Sequence, residues 1–541
     1  MMKFEQRYRK NRPRLEKKQI KEGEITMAEE VIKIDLNSQY REKDNAWQKC
    51  VGSGHAFLAH RTDWCRYVKF LHDELGIQYV RFHGIFDDDM LTVQSLADFI
   101  PLPGADKIKE YSFRQIGNVY DNVLSTGMKP FVELSFMPSK LASGKRFGLH
   151  YRNNITPPRD YNEWADYISS FIRFLINRYG KDEVETWYFE VWNEPDLSVF
   201  FTKKQKDYFK LYKYTVKAIK SVDEKIQVGG PSTSAGKWLK DFIDFTESEN
   251  LPCDFISTHQ YPGDGFGNTF HISDVFTRYL KIIKQAAAKG KDVSETITNL
   301  FFRPEDTGLA PRGIMTQAVK RSRNIVGNRP LFYTEWNCLS VFGAPAQDEK
   351  YSAAFAMKTL MDMNHETDCF SFWCCNDLFE EIMFVNKPFH GGFGLLTNLG
   401  IPKPVFWALK LIADSYSKRL DLSGNTDEEV EYAVFNDGDK YQVFIYAQTM
   451  DYRERKNYSL DIELNRVFQS GQIIRIDDNH CNPKEIWKSM GSPMDPTKQQ
   501  EETIKELSKP VKEELSLSQK ENGTGIHLNL SSNDVIVLYL E

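Results

Sequence analysis

The 541-residue chain has no run of about 18 uncharged apolar residues, so nothing in it reads as a membrane-spanning helix. Its eight cysteines, at 50, 65, 253, 338, 369, 374, 375 and 481, follow no framework spacing, which argues against a disulfide scaffold. Cys374 and Cys375 stand side by side in an apolar run and read as buried, reduced thiols. No Cys or His cluster has the spacing of zinc ligands, so neither a metal nor a cofactor is expected. Nor does one sign of charge dominate: 70 basic residues face 76 acidic ones for a net −6, which gives no reason to expect nucleic acid or an anionic membrane as partner. Internal repeats are absent as well. Residues 1–30 are polar and rich in Lys and Arg without an apolar core of signal-peptide length, so a flexible tail on a cytoplasmic protein is expected.

What the chain has is length enough for a large catalytic domain and at least one smaller one. From residue 47 onward, apolar runs alternate with amphipathic stretches. One such stretch is a helix over 63–75, where Trp64, Tyr67, Val68, Leu71 and Leu75 recur at helical spacing and Gly76 closes the pattern. Strands are expected near Cys50 and at 78–84, 129–136, 187–194, 226–229, 254–259, 330–337 and 369–375. Eight strands separated by helices make a (β/α)8 TIM barrel over 47–416, its last helix spanning 405–416. The segment 262–313 is long for a connection, with only a helix over 275–288 to fill it. Beyond residue 417 the character changes. Two apolar runs flank Asn436-Asp437-Gly438-Asp439, a hairpin signal, and further strands recur to the end. An all-β sandwich over 417–541 is expected, with a strand from 31–46 joining it and a helix-prone insertion between residues 489 and 523.

The chemistry gathers at Trp187-Tyr188-Phe189-Glu190-Val191-Trp192-Asn193-Glu194-Pro195-Asp196. An apolar strand, stopped by Pro195, delivers Glu194 to the barrel mouth. Leu331-Phe332-Tyr333-Thr334-Glu335-Trp336-Asn337 repeats the arrangement, and alternation predicts Tyr333, Glu335 and Asn337 on one face. Two carboxyls at facing strand ends suit glycoside hydrolysis, one protonated to serve the leaving oxygen and one ionised to attack. The bland alternative is two independent solvated acids. His55, His83 and His259 each stand near a strand end as candidate ligands of sugar hydroxyls, although any one alone reads better as structural. Arg81, on the same side of its strand as His83, either orients Glu335 or fills a core ion pair. Tyr261 is a further candidate for the substrate site.

These residues resemble glycoside hydrolase family 39. The similarity covers Val191-Trp192-Asn193-Glu194-Pro195-Asp196, Tyr333-Thr334-Glu335-Trp336-Asn337, Gly52-Ser53-Gly54-His55, Val80-Arg81-Phe82-His83-Gly84, Ser257-Thr258-His259, Phe372-Trp373 with Glu380-Glu381, and Pro388-Phe389-His390-Gly391-Gly392-Phe393-Gly394. It extends from about residue 31 to the end and is strongest toward the β-xylosidase branch. The resemblance implies Glu194 as general acid/base, Glu335 as nucleophile and Asn193 as the ligand of the sugar 2-hydroxyl. It also implies Trp373 as a sugar platform, and Glu380 and Glu381 as hydroxyl ligands. The ionised Glu335 is expected to help raise the pKa of Glu194. Gln260, where the family usually has proline, Cys374-Cys375 and the enlarged 262–313 segment depart from the pattern around the mouth. The expected activity is a retaining exo-β-xylosidase acting on xylo-oligosaccharides; a homo-oligomer is compatible with it. An enzyme of the same clan for an iduronide, galactoside, glucoside or arabinoside stays open, as does a non-catalytic carbohydrate sensor.

Overall fold

The computed structural model describes residues 27–264, 278–290, 293–382, 385, 387–420 and 429–541. The expected basic tail through residue 26 and the start of the helix expected from residue 275 lie outside these. Eight parallel strands close a barrel in chain order: β1 (Cys50–His55), β2 (Tyr79–His83), β3 (Lys129–Glu133), β4 (Tyr188–Glu190), β5 (Gln227–Ser234), β6 (Phe255–Gln260), β7 (Leu331–Trp336) and β8 (Cys369–Phe372). Phe372 of β8 pairs with Val51 of β1 to complete the ring. The expected (β/α)8 barrel with an accessory β-sandwich is the fold observed.

The helices form for local reasons. Asp160 caps Tyr161–Tyr179 by accepting from the Asn162 and Glu163 amides, and Gly180, at φ 88°, ends it. Its buried stripe of Trp164, Tyr167, Ile168, Phe171, Ile172 and Leu175 faces the barrel. Each such side chain stabilises the packing by about 1.5–3 kcal/mol. The helix Thr62–Leu75 ends, as read, on Gly76 in the left-handed region. The last barrel helix, Pro404–Ala413, ends three residues earlier than expected because the chain already joins the sandwich at Lys418–Leu420.

Strand alternation builds the barrel interior in layers. Phe131, Phe255 and Phe332, with Cys50 and Cys369, form an apolar floor, and the Phe255 and Phe332 rings stack at 4.6 Å. Two residues further along β2, β3 and β4, past Tyr79, Phe131 and Tyr188, stand Arg81, Glu133 and Glu190, all fully buried. A charged layer therefore lies directly beneath the mouth.

The sandwich faces a four-stranded sheet with a seven-stranded one. The strand expected near Val31 begins earlier, at Met27, so the tail is shorter than residue 30. It runs parallel to Asn457–Leu464 with Ile32 opposite Ile462. Tyr40–Glu42 joins the other sheet beside Lys418–Leu420. Ile32, Ile34, Val443, Ile445, Leu460, Ile462, Ile526 and Leu538 fill the space between the sheets. The long segment after β6 is more regular than expected, with helices Leu280–Lys289 and Val293–Phe301. It leans on the sandwich, where the Tyr452 amide donates to Thr307 Oγ1 at 2.8 Å.

Candidate active site

The strand that carries Glu194 stops sooner than its apolar run suggests. β4 ends at Glu190, and the chain then turns through Trp192 (φ 72°) and Glu194 (φ 41°), both in the left-handed region. Glu194 therefore sits on a tight loop rather than on the strand. The loop is fixed all the same: the Glu194 amide donates to Ser232 O at 2.9 Å, and the Leu197 amide donates to Glu194 O at 2.9 Å. The Trp192 indole donates to Phe200 O at 2.9 Å.

Glu335 arrives on β7, where simple alternation fails. Tyr333 points outward and donates to Ser322 on the helix Ile314–Val326. The pairing of β7 with β8 shifts register between Tyr333 and Trp336, and the irregularity lets both Thr334 and Glu335 reach the interior. Both Glu335 oxygens are engaged. Oε1 accepts from Arg81 Nη1 at 2.9 Å, and Oε2 accepts from the Tyr261 hydroxyl at 2.9 Å. Arg81 also donates from Nε to Glu190 (2.7 Å) and from Nη2 to Asn193 Oδ1 (2.9 Å), and it pairs with Glu133 at 2.8 Å. It thus makes the contacts of both alternatives, a core ion cluster and a hold on Glu335. Because Arg81 takes the Asn193 oxygen, the amide nitrogen is left buried and without a hydrogen-bond partner.

His259 lies behind the two carboxyls. Its Nδ1 is 3.1 Å from Glu194 Oε1 and 3.5 Å from Glu335 Oε2, while Nε2 is 3.1 Å from Thr334 Oγ1 and 3.2 Å from Ser232 Oγ. The ring is wholly buried, and burial lowers its pKa, which favours the neutral form. Thr334 donates to Glu190, 2.9 Å away, and Ser232 Oγ, which accepts from Arg81, stands at the same imidazole nitrogen. Both ring nitrogens of the expected hydroxyl ligand are thus engaged by side chains, and the ring holds the Glu194 carboxyl in place.

Burial, and then the charge of Asp196, raise the pKa of Glu194 to about 8, against the opposing charges of His83 and Arg81. The ionised Glu335 was expected to help in this, whereas dehydration dominates because the carboxyl is almost closed off from solvent. One oxygen each from Glu194 and Glu335 and a ring nitrogen of His259 lie within 4.8 Å of one another. A cation does not suit this trio, since Arg81 and Tyr261 already hold both Glu335 oxygens and burial favours the protonated form of Glu194.

Residues 30–524 match the profile of Glycosyl hydrolases family 39. The protein belongs to that family. A β-xylosidase of Caldicellulosiruptor saccharolyticus is 36% identical over 494 residues, 90% of this chain and 93% of that one. A β-xylosidase of Geobacillus stearothermophilus is 30% identical over 527 residues, 94% of this chain and 95% of that one. Among solved structures, a monomeric β-xylosidase from Caulobacter crescentus superposes with a TM-score of 0.75 at 27% identity, covering 94% of this chain and 99% of that one.

The remaining candidates line one side of this family 39 site. His83 Nδ1 meets Glu133 at 2.7 Å, while Nε2 lies 3.3 Å from Glu381 and 3.5 Å from Glu335. Burial opposes its charge, but Glu133 and Glu381 outweigh that and lift its pKa to about 9. Burial pushes Glu381 up to about 8 even with His83 beside it. Trp373 packs its ring 4.7 Å from His83 and is almost wholly enclosed among Tyr261, Phe379 and Phe393, so it forms a floor more than an open platform. Gly52 makes room for it, since a Cβ there would come within 2.4 Å of Trp373 Cε3. His55 Nε2 lies 3.3 Å from both Asp87 and Asp89, and the half-buried Glu380 adds its charge to their surroundings. Glu133, Glu190, Ser232, Thr334, Asp87 and Tyr151 escaped the sequence reading. Glu133 and Glu190 were legible, because each is a carboxylate inside an apolar strand, the same signal that exposed Glu194.

Proposed function

We propose that the protein is a retaining exo-β-xylosidase that removes xylose from the non-reducing ends of β-1,4-linked xylo-oligosaccharides. The observation that carries this reading is the contrast between two close carboxyls. Glu335 is clamped by a guanidinium and a phenol, the setting of an ionised nucleophile, while Glu194 is buried with its pKa raised to about 8, the setting of a proton donor. Oxygens within 4.8 Å suit direct attack, whereas an inverting pair stands about 6.5–9.5 Å apart to admit a water.

In this reading Glu335 attacks the anomeric carbon and Glu194 protonates the departing oxygen, which leaves a covalent glycosyl-enzyme. Attack consumes the Glu335 charge. Glu194, now a carboxylate, takes a proton from water as the water displaces Glu335, and the first state is restored. Asn193 donates its free amide hydrogens to the 2-hydroxyl oxygen, aimed by Arg81. The β-xylosidase relatives, each aligned over nearly its whole length, support xylose as the sugar. All eight cysteines are free thiols, which supports action in a reducing compartment such as the cytoplasm. Proton NMR of the first product from an aryl β-xyloside should show β-xylose before mutarotation; α-xylose as first product would sink the mechanism.

A further inference from the structure

The hairpin that follows β3 reaches far from its own strand. Phe147 bridges to Asn154, the Gly148 amide donates to Asn153 O at 2.9 Å and the Ile155 amide to Arg146 O at 3.0 Å, so residues 146–155 form a closed turn. It is anchored on both sides of the mouth. On the Glu194 side, the Thr202 amide donates to Ile155 O at 3.1 Å, and a Cβ on Gly148 would come within 2.8 Å of Val199 O. On the other side, the His150 amide donates to Glu381 O at 2.9 Å, in the loop after β8. Since β8 is separated from β3 by β1 and β2, the hairpin passes over the ends of two strands to make that bond.

At its far end stands Tyr151. Its ring lies flat on His55 of β1, with centroids 3.9 Å apart and planes 1° from parallel. Its hydroxyl is buried without a hydrogen-bond partner, while Glu381 Oε1 has only the His83 ring nitrogen, 3.3 Å away. The neighbouring His150 amide is bonded to Glu381 O, and the Glu381 carboxyl is, after burial, the foremost influence raising the phenol's pKa. From the reaction centre, the polar wall therefore runs through Glu335, His83 and Glu381 to Tyr151, where the stacked rings stop it.

We propose that Tyr151 is a specificity-determining residue that ends the sugar site. Its hydroxyl, beside Glu381, binds the 4-hydroxyl of the terminal xylose, and its ring, backed by His55, blocks any further sugar on that side. This inference rests on the exo-β-xylosidase reading and supplies the physical reason for exo action: a linked sugar at the 4-position would collide with the phenol. A buried phenol hydroxyl without a partner, at the closed end of a sugar site and beside the loop that carries Glu381, is the pattern that hydroxyl recognition requires.

The test compares full-length wild type with Tyr151→Phe on an aryl β-xyloside and its 4-deoxy analogue. Tyr151→Phe should lose about tenfold in kcat/KM on the xyloside, the value of one hydrogen bond, and less than about twofold on the 4-deoxy sugar. Equal losses on both sugars, or no loss on either, would overturn the proposal. Tyr151→Ala on xylohexaose gives a second measure: release of xylobiose or xylotriose supports the wall, while release of xylose alone at the wild-type rate argues against it. If Tyr151→Ala does not fold, the Phe comparison decides alone. The underlying reading fails separately, by wild type leaving aryl β-xyloside uncleaved.

Discussion

The raised pKa of Glu194 makes a quantitative demand on the pH profile. At pH 7, a carboxyl with a pKa of about 8 is protonated in about nine molecules of ten, whereas one at 4.5 would be protonated in about three of a thousand. The raised pKa of this one group is therefore worth about 300-fold in the fraction of enzyme able to donate. Since kcat/KM reports the free enzyme, its basic limb on a xyloside with a poor leaving group should fall with a midpoint near pH 8. Asp196 is the charge that adds most to this shift. It is held by the Ser234 amide at 2.9 Å and by Lys237 at 2.9 Å. Asp196→Asn removes that negative charge and leaves the Lys237 charge, which opposes the shift, without its counterion. Both changes favour ionised Glu194, so the midpoint should move down by about one unit. Activity at pH 8 would then fall about fivefold, with little change near pH 5.5. A dinitrophenyl xyloside, which needs no proton on its leaving group, should show a much weaker basic limb in both proteins. A wild-type midpoint below pH 6, or an Asp196→Asn midpoint at or above that of wild type, would refute the reasoning.

The same linkage bears on stability. Glu194 has a higher pKa folded (about 8) than unfolded (4.5), so the folded state binds the extra proton between those values, and stability falls as pH rises through that window. Glu194→Gln should accordingly raise the thermal midpoint at pH 8 and leave it nearly unchanged at pH 4; calorimetry showing the reverse order would contradict the burial argument. Gly52→Ala should push Trp373 off its floor, raise KM for aryl xyloside about tenfold and alter the tryptophan fluorescence, whereas unchanged values for both would remove Gly52 from the site's construction. Lys403 joins Asp348 (2.7 Å), Asp377 (2.6 Å) and Gly392 O (2.9 Å) beneath the loop that carries Phe393. Lys403→Met leaves two buried carboxylates unpaired and should cost about 3–5 kcal/mol in denaturant unfolding; a loss under about 1 kcal/mol would mean the cluster relaxes freely.

The barrel was legible because most of its strands read as apolar runs, while helices such as Thr62–Leu75 and Tyr161–Tyr179 show a one-sided stripe and a glycine stop. The sandwich was legible through hairpin spacing. The two glutamates were legible because a carboxylate at the end of an apolar run is costly unless it is used. What misled were places where the backbone leaves its regular path. The run through Trp192 looks like strand, yet the ladder ends at Glu190 and two left-handed residues turn Glu194 inward. Alternation on β7 put Tyr333 with Glu335, yet a register shift separates them.

By itself, then, the sequence determined the architecture and which two carboxyls matter, since both follow from local pattern and the cost of burying charge. Only the tertiary structure decided what each group does. Ser232 and Thr334 on one side and Glu194 on the other grip the His259 ring between strands distant in the chain. Arg81 aims Glu335 and Asn193 from a strand more than one hundred residues earlier in the chain. A hairpin from β3 crosses the mouth to bring Tyr151 against His55. Hydrogen-bond polarity, desolvation and convergence of distant strands are properties of three-dimensional neighbourhoods, and no local pattern of residues encodes them.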